Sequence, residues 1–434
     1  MEIKAQENGI GALKIGVWVF FLLLIFEGAF RKWFLPGLSA PLLIIRDPLI
    51  LYLLVMAWKK NILPKSKYLM AIMAIGILAL ATTLLFGHGN VPVALFGARI
   101  LVLHFPFMFV IGAVFGEKDI VLLGKILLWL SIPMVLLLAL QFYSPQSAWV
   151  NRGVGGDLSG AGFSGALGYF RPPGTFSFTT GTSQFFGLLA CFVLYFWVRS
   201  ESVNRLLLVG ASLALLAAIP LSISRTLLFS VILMVLFAVI AMLGKPKYTR
   251  RIVIAGLCVL ILLAILAQME FFQTSIEVFT ARAENAGRSE GGLQGTLINR
   301  YLGGMIDTFD NSTKLPFFGY GIGMGTNVGS QILAGERTFL IAEEEWGRLV
   351  GEMGLLLGIT VILIRVSFSL HLFLCSLAKL KNHIFLPWML VAFGLLLIPY
   401  GQWAQPTTLG FSILVGGLIL ASLKEQELPE HNPR

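Results

Sequence analysis

The feature that most constrains this chain is its rhythm: block after block of near-uninterrupted apolar residues, parted by short polar joints. A run of about 20 apolar residues is what a helix needs to cross the hydrocarbon of a bilayer. Inside lipid the backbone must bond within its own segment, so each block is expected to be a helix. Hydrophobic residues make up 57% of the 434 positions, charged residues 12%, and the mean hydropathy is +0.85. Soluble domains carry about 25% charged residues. So little charge cannot coat a water-facing surface. The expected fold is therefore an all-α polytopic membrane protein, a single domain over residues 1–434.

The blocks number about twelve. The first five are Leu13–Phe30, Ala40–Trp58, Tyr68–Phe86, Pro92–Phe115 and Ile120–Phe142. A Gly-rich polar loop, Tyr143–Thr180, separates them from Gly181–Val198, Leu206–Ser222, Thr226–Leu243 and Ile252–Met269. A longer polar stretch, Glu270–Glu345, precedes the last three: Leu349–Ser369, Ile384–Tyr400 and Thr407–Leu423. Met1–Lys14 is polar, and no small-residue cleavage site follows the first block, so a retained signal anchor is expected.

Charge then sets the orientation. The net charge of +10 is carried largely by short loops rather than by a basic domain, which argues against nucleic acid as a partner. Lys59, Lys60, Lys65 and Lys67 follow block two. Lys245, Lys247, Arg250 and Arg251 follow block eight, and Lys379 and Lys381 follow block ten. Short cationic loops stay in the cytoplasm. With a cytoplasmic N-terminus and one crossing per block, all three clusters fall on that side. Both long loops and the turn Ser222–Arg225 then fall outside, and the C-terminus inside. The expected location is a bacterial inner membrane with the working face outward.

The outer stretch Glu270–Glu345 contains an expected amphipathic helix, Leu293–Phe309, able to lie on the membrane or cap a cavity. No internal repeat is visible, so an inverted-repeat transporter gains no support. Cys191, Cys258 and Cys375 lack metal or disulfide spacing, and the five histidines are scattered. No metal site and no cofactor are expected. Gly319, Gly321, Gly323 and Gly325 follow no strand, so they read as a flexible loop or hinge rather than a nucleotide fingerprint. Glu27 and Arg31 read as an interfacial pair.

Arginine is the informative residue. Arg171, Arg225 and Arg300 fall at the outer face, and Arg99 lies within block four, five positions before His104. Charge at mid-membrane costs about 2.5–3.5 kcal/mol on insertion scales, so such residues face a cavity or a partner. A guanidinium stays ionised and grips phosphate with two parallel bonds, which points to an anionic, phosphate-bearing substrate. Snorkelling to lipid headgroups is the competing explanation for Arg171 and Arg225; an internal ion pair is the one for Arg99. Ahead of block ten, Glu343, Glu344 and Glu345 precede Arg348 and Glu352. Helical spacing couples Glu344 to Arg348 and Arg348 to Glu352. Carboxylates here suit a helix dipole, or supply a general base at the mouth of a cavity.

Three elements together resemble the O-antigen ligase and polysaccharide polymerase superfamily. They are Arg171-Pro-Pro-Gly-Thr-Phe176, Ser224-Arg225-Thr226, and the stretch from Asn299-Arg300-Tyr301 to Pro316–Gly323 followed by Glu352-Met-Gly354. The resemblance spans roughly residues 165–370. It implies a C-type glycosyltransferase-like fold using neither nucleotide sugar nor metal. The donor would be a glycan on undecaprenyl pyrophosphate. The acceptor would be a second lipid-linked glycan in a polymerase, or a lipid or protein acceptor in a ligase. Arg171, Arg225 and Arg300 match family arginines and would hold the pyrophosphate with Arg99 and Arg348; Arg225 and Arg300 would also act in catalysis. Membrane lipids and further glycan-assembly proteins are the other implied partners. Where the family carries a histidine at the start of block ten, this chain has Glu343–Glu345, which favours the polymerase reading and leaves Glu344 or Glu345 as the candidate base. A lipid-glycan transporter or flippase and a non-catalytic assembly factor are the rival classes.

Overall fold

The computed structural model describes residues 2–199, 203–243, 268, 270–289, 315–336, 338 and 340–424. The helices are α1 (Glu2–Ala29), α2 (Ser39–Leu43), α3 (Arg46–Lys59), α4 (Lys67–Phe86), α5 (Val91–Arg99), α6 (Phe105–Val114), α7 (Glu117–Tyr143), α8 (Thr179–Val198), α9 (Arg205–Leu221) and α10 (Arg225–Met242). They continue with α11 (Glu270–Ser289), α12 (Asn327–Ala334), α13 (Glu345–Lys381), α14 (Leu386–Tyr400) and α15 (Pro406–Leu423). A single short hairpin, β1 (Phe163–Ser164) with β2 (Phe170–Arg171), interrupts the helices among the described residues.

The architecture is that of an all-α polytopic membrane protein. Nine segments among the described residues are long and apolar enough to cross a bilayer, and two shorter apolar helices, α9 and α14, accompany them. From the third block to the eighth, and for the last two, helix ends lie within three residues of the apolar boundaries. The ninth block, Ile252–Met269, and the amphipathic segment Leu293–Phe309 fall outside the described residues, Gln268 apart.

Contacts sort the loops onto two ends. Lys14 at the start of α1 pairs with Asp119 at the start of α7 at 2.6 Å. Lys424, after α15, donates to the carbonyls of Ala113 and Phe115 at 2.5 and 3.0 Å. At the opposite end, Gly155 of the first long loop donates to the Arg31 carbonyl, and His88 donates to the Tyr320 carbonyl of the second.

Helices meet where small residues permit it, as in other membrane bundles. α15 lies along α6 because Gly416 and Gly417 sit against Met108 and Ile111; a methyl at Gly417 would come within 2.5 Å of the Ile111 Cβ.

Two features depart from the sequence expectation. The stretch Glu270–Glu345 opens with a 20-residue helix, α11, which buries Ser275 and Val278 and packs on α9. Its charge excludes it from any apolar scan. The second is that block ten is not one straight crossing. α13 breaks at Gly354, whose φ of 73° and ψ of 171° are non-helical. The short limb, 345–353, folds back on the long limb, 355–381. Two contacts require this: Gly358 lies against the backbone of Leu349 and Val350, and Glu345 reaches Arg365.

Candidate functional site

The break in α13 exposes backbone carbonyls, and the glycine-rich segment takes them up. Tyr320 N–H donates to the Gly351 carbonyl and Gly321 N–H to the Glu352 carbonyl, both at 2.9 Å. Ile322 N–H donates to the Thr83 hydroxyl at 2.9 Å, and Gly325 N–H to the Glu352 carboxylate at 2.8 Å. Gly319, Gly321 and Gly323 all adopt positive φ, and a methyl on Gly319 would collide with the backbone at Glu352 and Gly354. From sequence this segment reads as a flexible loop or hinge. It is instead a strap wedged between α4, α5 and the break, with each glycine where a side chain has no room.

The acidic start of α13 is organised for burial. Both Glu345 oxygens are occupied: Oε1 accepts from Arg348 Nη2 (2.9 Å) and Arg365 Nη1 (2.5 Å), and Oε2 from Arg348 Nε (3.0 Å) and the Trp403 N–H (3.1 Å). A carboxylate offers about four lone-pair positions, and here all four are used. Glu345 is thereby tied to Arg348, Arg365 and the Trp403 backbone. Arg348 spends its remaining nitrogen on Glu352. Sequence reading makes Arg348 a pyrophosphate ligand; here it is buried at 3% exposure and pairs with these two carboxylates. Arg365, which sequence reasoning passed over, is fully buried. It donates to the carbonyls of Ile398 and Gly401 and stacks on Trp403 at 3.7 Å.

A second buried network holds Arg99. Its Nη1 meets Asp47 at 2.6 Å, its Nε donates to the Phe96 carbonyl, and the other Asp47 oxygen lies 2.8 Å from His104 Nε2. Arg46 beside Asp47 pairs with Glu27 at 3.0 Å, and Glu27 also receives Arg31 at 3.4 Å. The pair Glu27–Arg31 thus belongs to an interior cluster on α1, α3 and α5. Arg99, expected as a pyrophosphate ligand or as an internal ion pair, is placed in that cluster with Asp47 as its partner.

The other arginines sit elsewhere. Arg171 is half-buried in β2, and its segment is pinned from behind. Gly174 exchanges bonds with the Gln141 amide, its carbonyl also accepts from the fully buried Lys32 at 2.6 Å, and Thr175 donates to the Ile25 carbonyl at 2.7 Å. Phe176 closes the anchor at 1% exposure. Arg225, also half-buried, opens α10 behind a Ser224 cap, and Ser224 bonds Ser183 of α8 at 2.7 Å. The turn before it touches the hairpin: a methyl on Gly165 would lie 2.8 Å from Ile223 Cδ1. Arg282 of α11 donates to the Ser164 carbonyl at 3.0 Å. Elements bearing Arg171, Arg225 and Arg282 therefore meet on one rim. No motif marks Arg282. Arg300 lies outside the described residues. Glu344, half-buried, holds the N-cap position of α13.

An uncharged polar track links this rim to the acidic helix start. Ser183 and Thr180 share a face of α8. Thr180 donates to Gln405 at 3.3 Å, Gln405 to Gln402 at 2.7 Å, and Gln402 to the Glu343 carbonyl at 2.8 Å. Beside it, Gln184 donates to Thr408 at 3.0 Å. In the first loop Asp157 is held below the usual carboxylate range by the backbone N–H and the hydroxyl of Ser159. Among the described residues no group of three or more His, Cys, Asp or Glu is placed to hold a metal ion.

Compared with known proteins, the chain matches no family model, no curated protein and no solved structure.

Proposed function

We propose that this protein is a polymerase-type glycosyltransferase of the bacterial inner membrane. It would join oligosaccharide units carried on undecaprenyl pyrophosphate into a cell-surface polysaccharide at the extracytoplasmic face. The observation that carries the reading is the rim: two elements that resemble family motifs, those of Arg171 and Arg225, meet at one end of the bundle through the Ile223–Gly165 contact and the Ser183–Ser224 bond.

Chemistry fits that arrangement. The acceptor hydroxyl attacks the anomeric carbon of the donor, the new glycosidic C–O bond forms, and the bond to pyrophosphate breaks with inversion. Negative charge grows on the departing lipid pyrophosphate. Preorganised guanidinium groups at a water-poor site stabilise such charge. Arg171 and Arg225 take that role here, with Arg282 and Arg300 as further donors. The hydroxyl proton passes to a base, for which Glu344 at the N-cap of α13 and Glu345 beside it are the candidate carboxylates. The amide and hydroxyl groups of Thr180, Gln402 and Gln405 suit sugar hydroxyls lying between the two. No nucleotide, metal or other cofactor is called for, because the donor bond already carries the energy.

The broken α13 favours a transporter as the second reading, since broken helices hold substrates in many transporters. There the freed carbonyls line a cavity. Here the strap's backbone N–H groups occupy two of them, at Gly351 and Glu352. A ligase-type transfer to a different acceptor uses the same rim and differs in the product.

Replacing Arg171 or Arg225 with Ala at unchanged protein level tests the proposal. The expected result is loss of long glycan with accumulation of single lipid-linked units. Wild-type chain lengths in both variants would remove the rim from the mechanism.

A further inference from the structure

Two exposed apolar stripes end at the strap. On α4, Met70, Ile77 and Leu84 recur at intervals of seven, and all are exposed, as is Leu85 at 73%. On the long limb of α13, Leu356, Leu363 and Leu370 repeat the same interval and are exposed as well. Seven residues make about two helical turns, so each set lies along one face. Both helices are long and apolar enough to cross a bilayer, and lipid covers such a face. The two run antiparallel. Tyr68 at the start of α4 meets Phe368, 5.1 Å between rings, while Phe86 at its end stacks on Phe318 of the strap at 5.0 Å. Phe317 sits edge-on to Phe318 at 4.9 Å, and its carbonyl lies against Gly354, where the long limb begins. The strap thus joins the ends of the two stripes. Phe317 is 70% exposed there, close to Phe86 at 63%, and Tyr320 is exposed too. No charged residue falls between Leu315 and Thr326.

We propose that the strap is a membrane-interface anchor, with Phe317 and Tyr320 entering the interfacial lipid of the leaflet at this end of the bundle. Continuity names the occupant. Acyl chains that cover Leu85 on one side and Leu356 on the other reach the strap that joins them. Aromatic rings are enriched at this depth, where an apolar body is covered and a polar atom stays wet. A contiguous apolar patch of this kind marks a contact with lipid or with a partner, and here lipid already lies along both of its flanks. The anchor has a structural consequence. The same segment donates the Tyr320 and Gly321 N–H groups to the carbonyls of Gly351 and Glu352, so the lipid surface helps to hold the break in α13. The inference does not rest on the transferase reading, because it uses neither the rim arginines nor the acidic helix start.

The test places a photoreactive side chain, Phe317→p-benzoylphenylalanine, in the full chain, reconstituted into vesicles of phosphatidylethanolamine and phosphatidylglycerol. Leu78→p-benzoylphenylalanine, exposed midway along α4, is the reference for a lipid-covered position. Both variants are taken forward only when they elute as wild type on gel filtration. After irradiation, the peptide carrying position 317 is expected to gain the mass of one phospholipid, as the peptide carrying position 78 does. Tyr320→p-benzoylphenylalanine is expected to give the same adduct, and it reads the anchor independently if position 317 does not tolerate the larger ring. Lipid adducts at position 78 with none at 317 or 320 would overturn the proposal and place the strap in water. Cross-linked dimers at 317 in place of lipid adducts would overturn it as well, making this face a contact between two copies of the chain.

Discussion

Arg365 and Glu345 stand twenty positions apart on the two limbs of α13, yet Nη1 of the first lies 2.5 Å from Oε1 of the second. A straight helix would hold them about 30 Å apart. The contact exists because α13 turns back at Gly354, and both side chains are buried where it closes. One ion pair thus fixes the short limb, the turn after α14 and the acidic residues ahead of α13. Glu344, proposed to serve catalysis, is positioned by its neighbour.

Taking away one member of a buried pair leaves the other charged in a low-dielectric interior, at a cost of about 3–5 kcal/mol. Arg365→Ala and Glu345→Ala are therefore expected to lower the thermal midpoint in detergent sharply. Arg365→Lys should recover little, because an ammonium cannot reproduce the fork to Ile398, Gly401 and Glu345. A midpoint within a degree or two of wild type for Arg365→Ala would show that the limb is held by something else.

The break itself makes a separate demand. Gly354 combines positive φ with a backbone so close to Phe317 that a methyl group collides with its carbonyl. Left-handed backbone alone costs a non-glycine residue about 1–2 kcal/mol. Gly354→Ala and Gly319→Ala should both give poorly folded protein, whereas Gly37→Ala, with open space around it, should be silent. Monodispersity on gel filtration distinguishes them; equal profiles for Gly354→Ala and Gly37→Ala would contradict the wedge.

Sequence made some of this legible and hid the rest for definable reasons. Helix positions followed from block length because lipid leaves the backbone no alternative. That interior charges must be paired also followed, and Arg99 found Asp47. Which partner each would find did not follow, because Asp47–Arg99 and Glu345–Arg365 join segments through tertiary packing. Arg365 did carry a signal that went unread, a lone cation between Ile364 and Val366 in an apolar run. The turn at Gly354 gave almost none, since Leu355-Leu-Leu continues the apolar pattern across it. Arg282 had no motif, and its place on the rim depends on where α11 packs.

Behind Arg171, the anchor at Gly174 separates two kinds of bond. Gln141→Leu removes the partner of both the Gly174 N–H and its carbonyl, and an unsatisfied buried group costs about 1–3 kcal/mol. Lys32→Met leaves the carbonyl its bond to Gln141 and removes a buried charge. The Gln141 variant should therefore be the less stable of the two in thermal unfolding. The reverse order would mean that the Lys32 ammonium carries the anchor.

The loop that carries Asp157 should loosen in acid. Asp157 is held below its ordinary value by Ser159, so the contribution of this turn is complete above the usual carboxylate range. It is lost as pH falls through the lowered folded value. Limited proteolysis of the loop should accelerate across that window, and Asp157→Asn should cleave at an acid-like rate at every pH. An Asp157→Asn profile that still follows pH would assign the change to another group.

The central claim concerns a reaction, and the purified protein can be asked for it directly. Undecaprenyl-pyrophosphate-linked oligosaccharide is supplied as the sole substrate, with chelator present and no nucleotide sugar, and products are followed by mass. The account predicts lengthened glycan on lipid, one undecaprenyl pyrophosphate released per unit joined, and an inverted anomeric centre at each new linkage. Intact substrate recovered from protein whose reconstituted vesicles move the lipid-linked glycan between leaflets would contradict it.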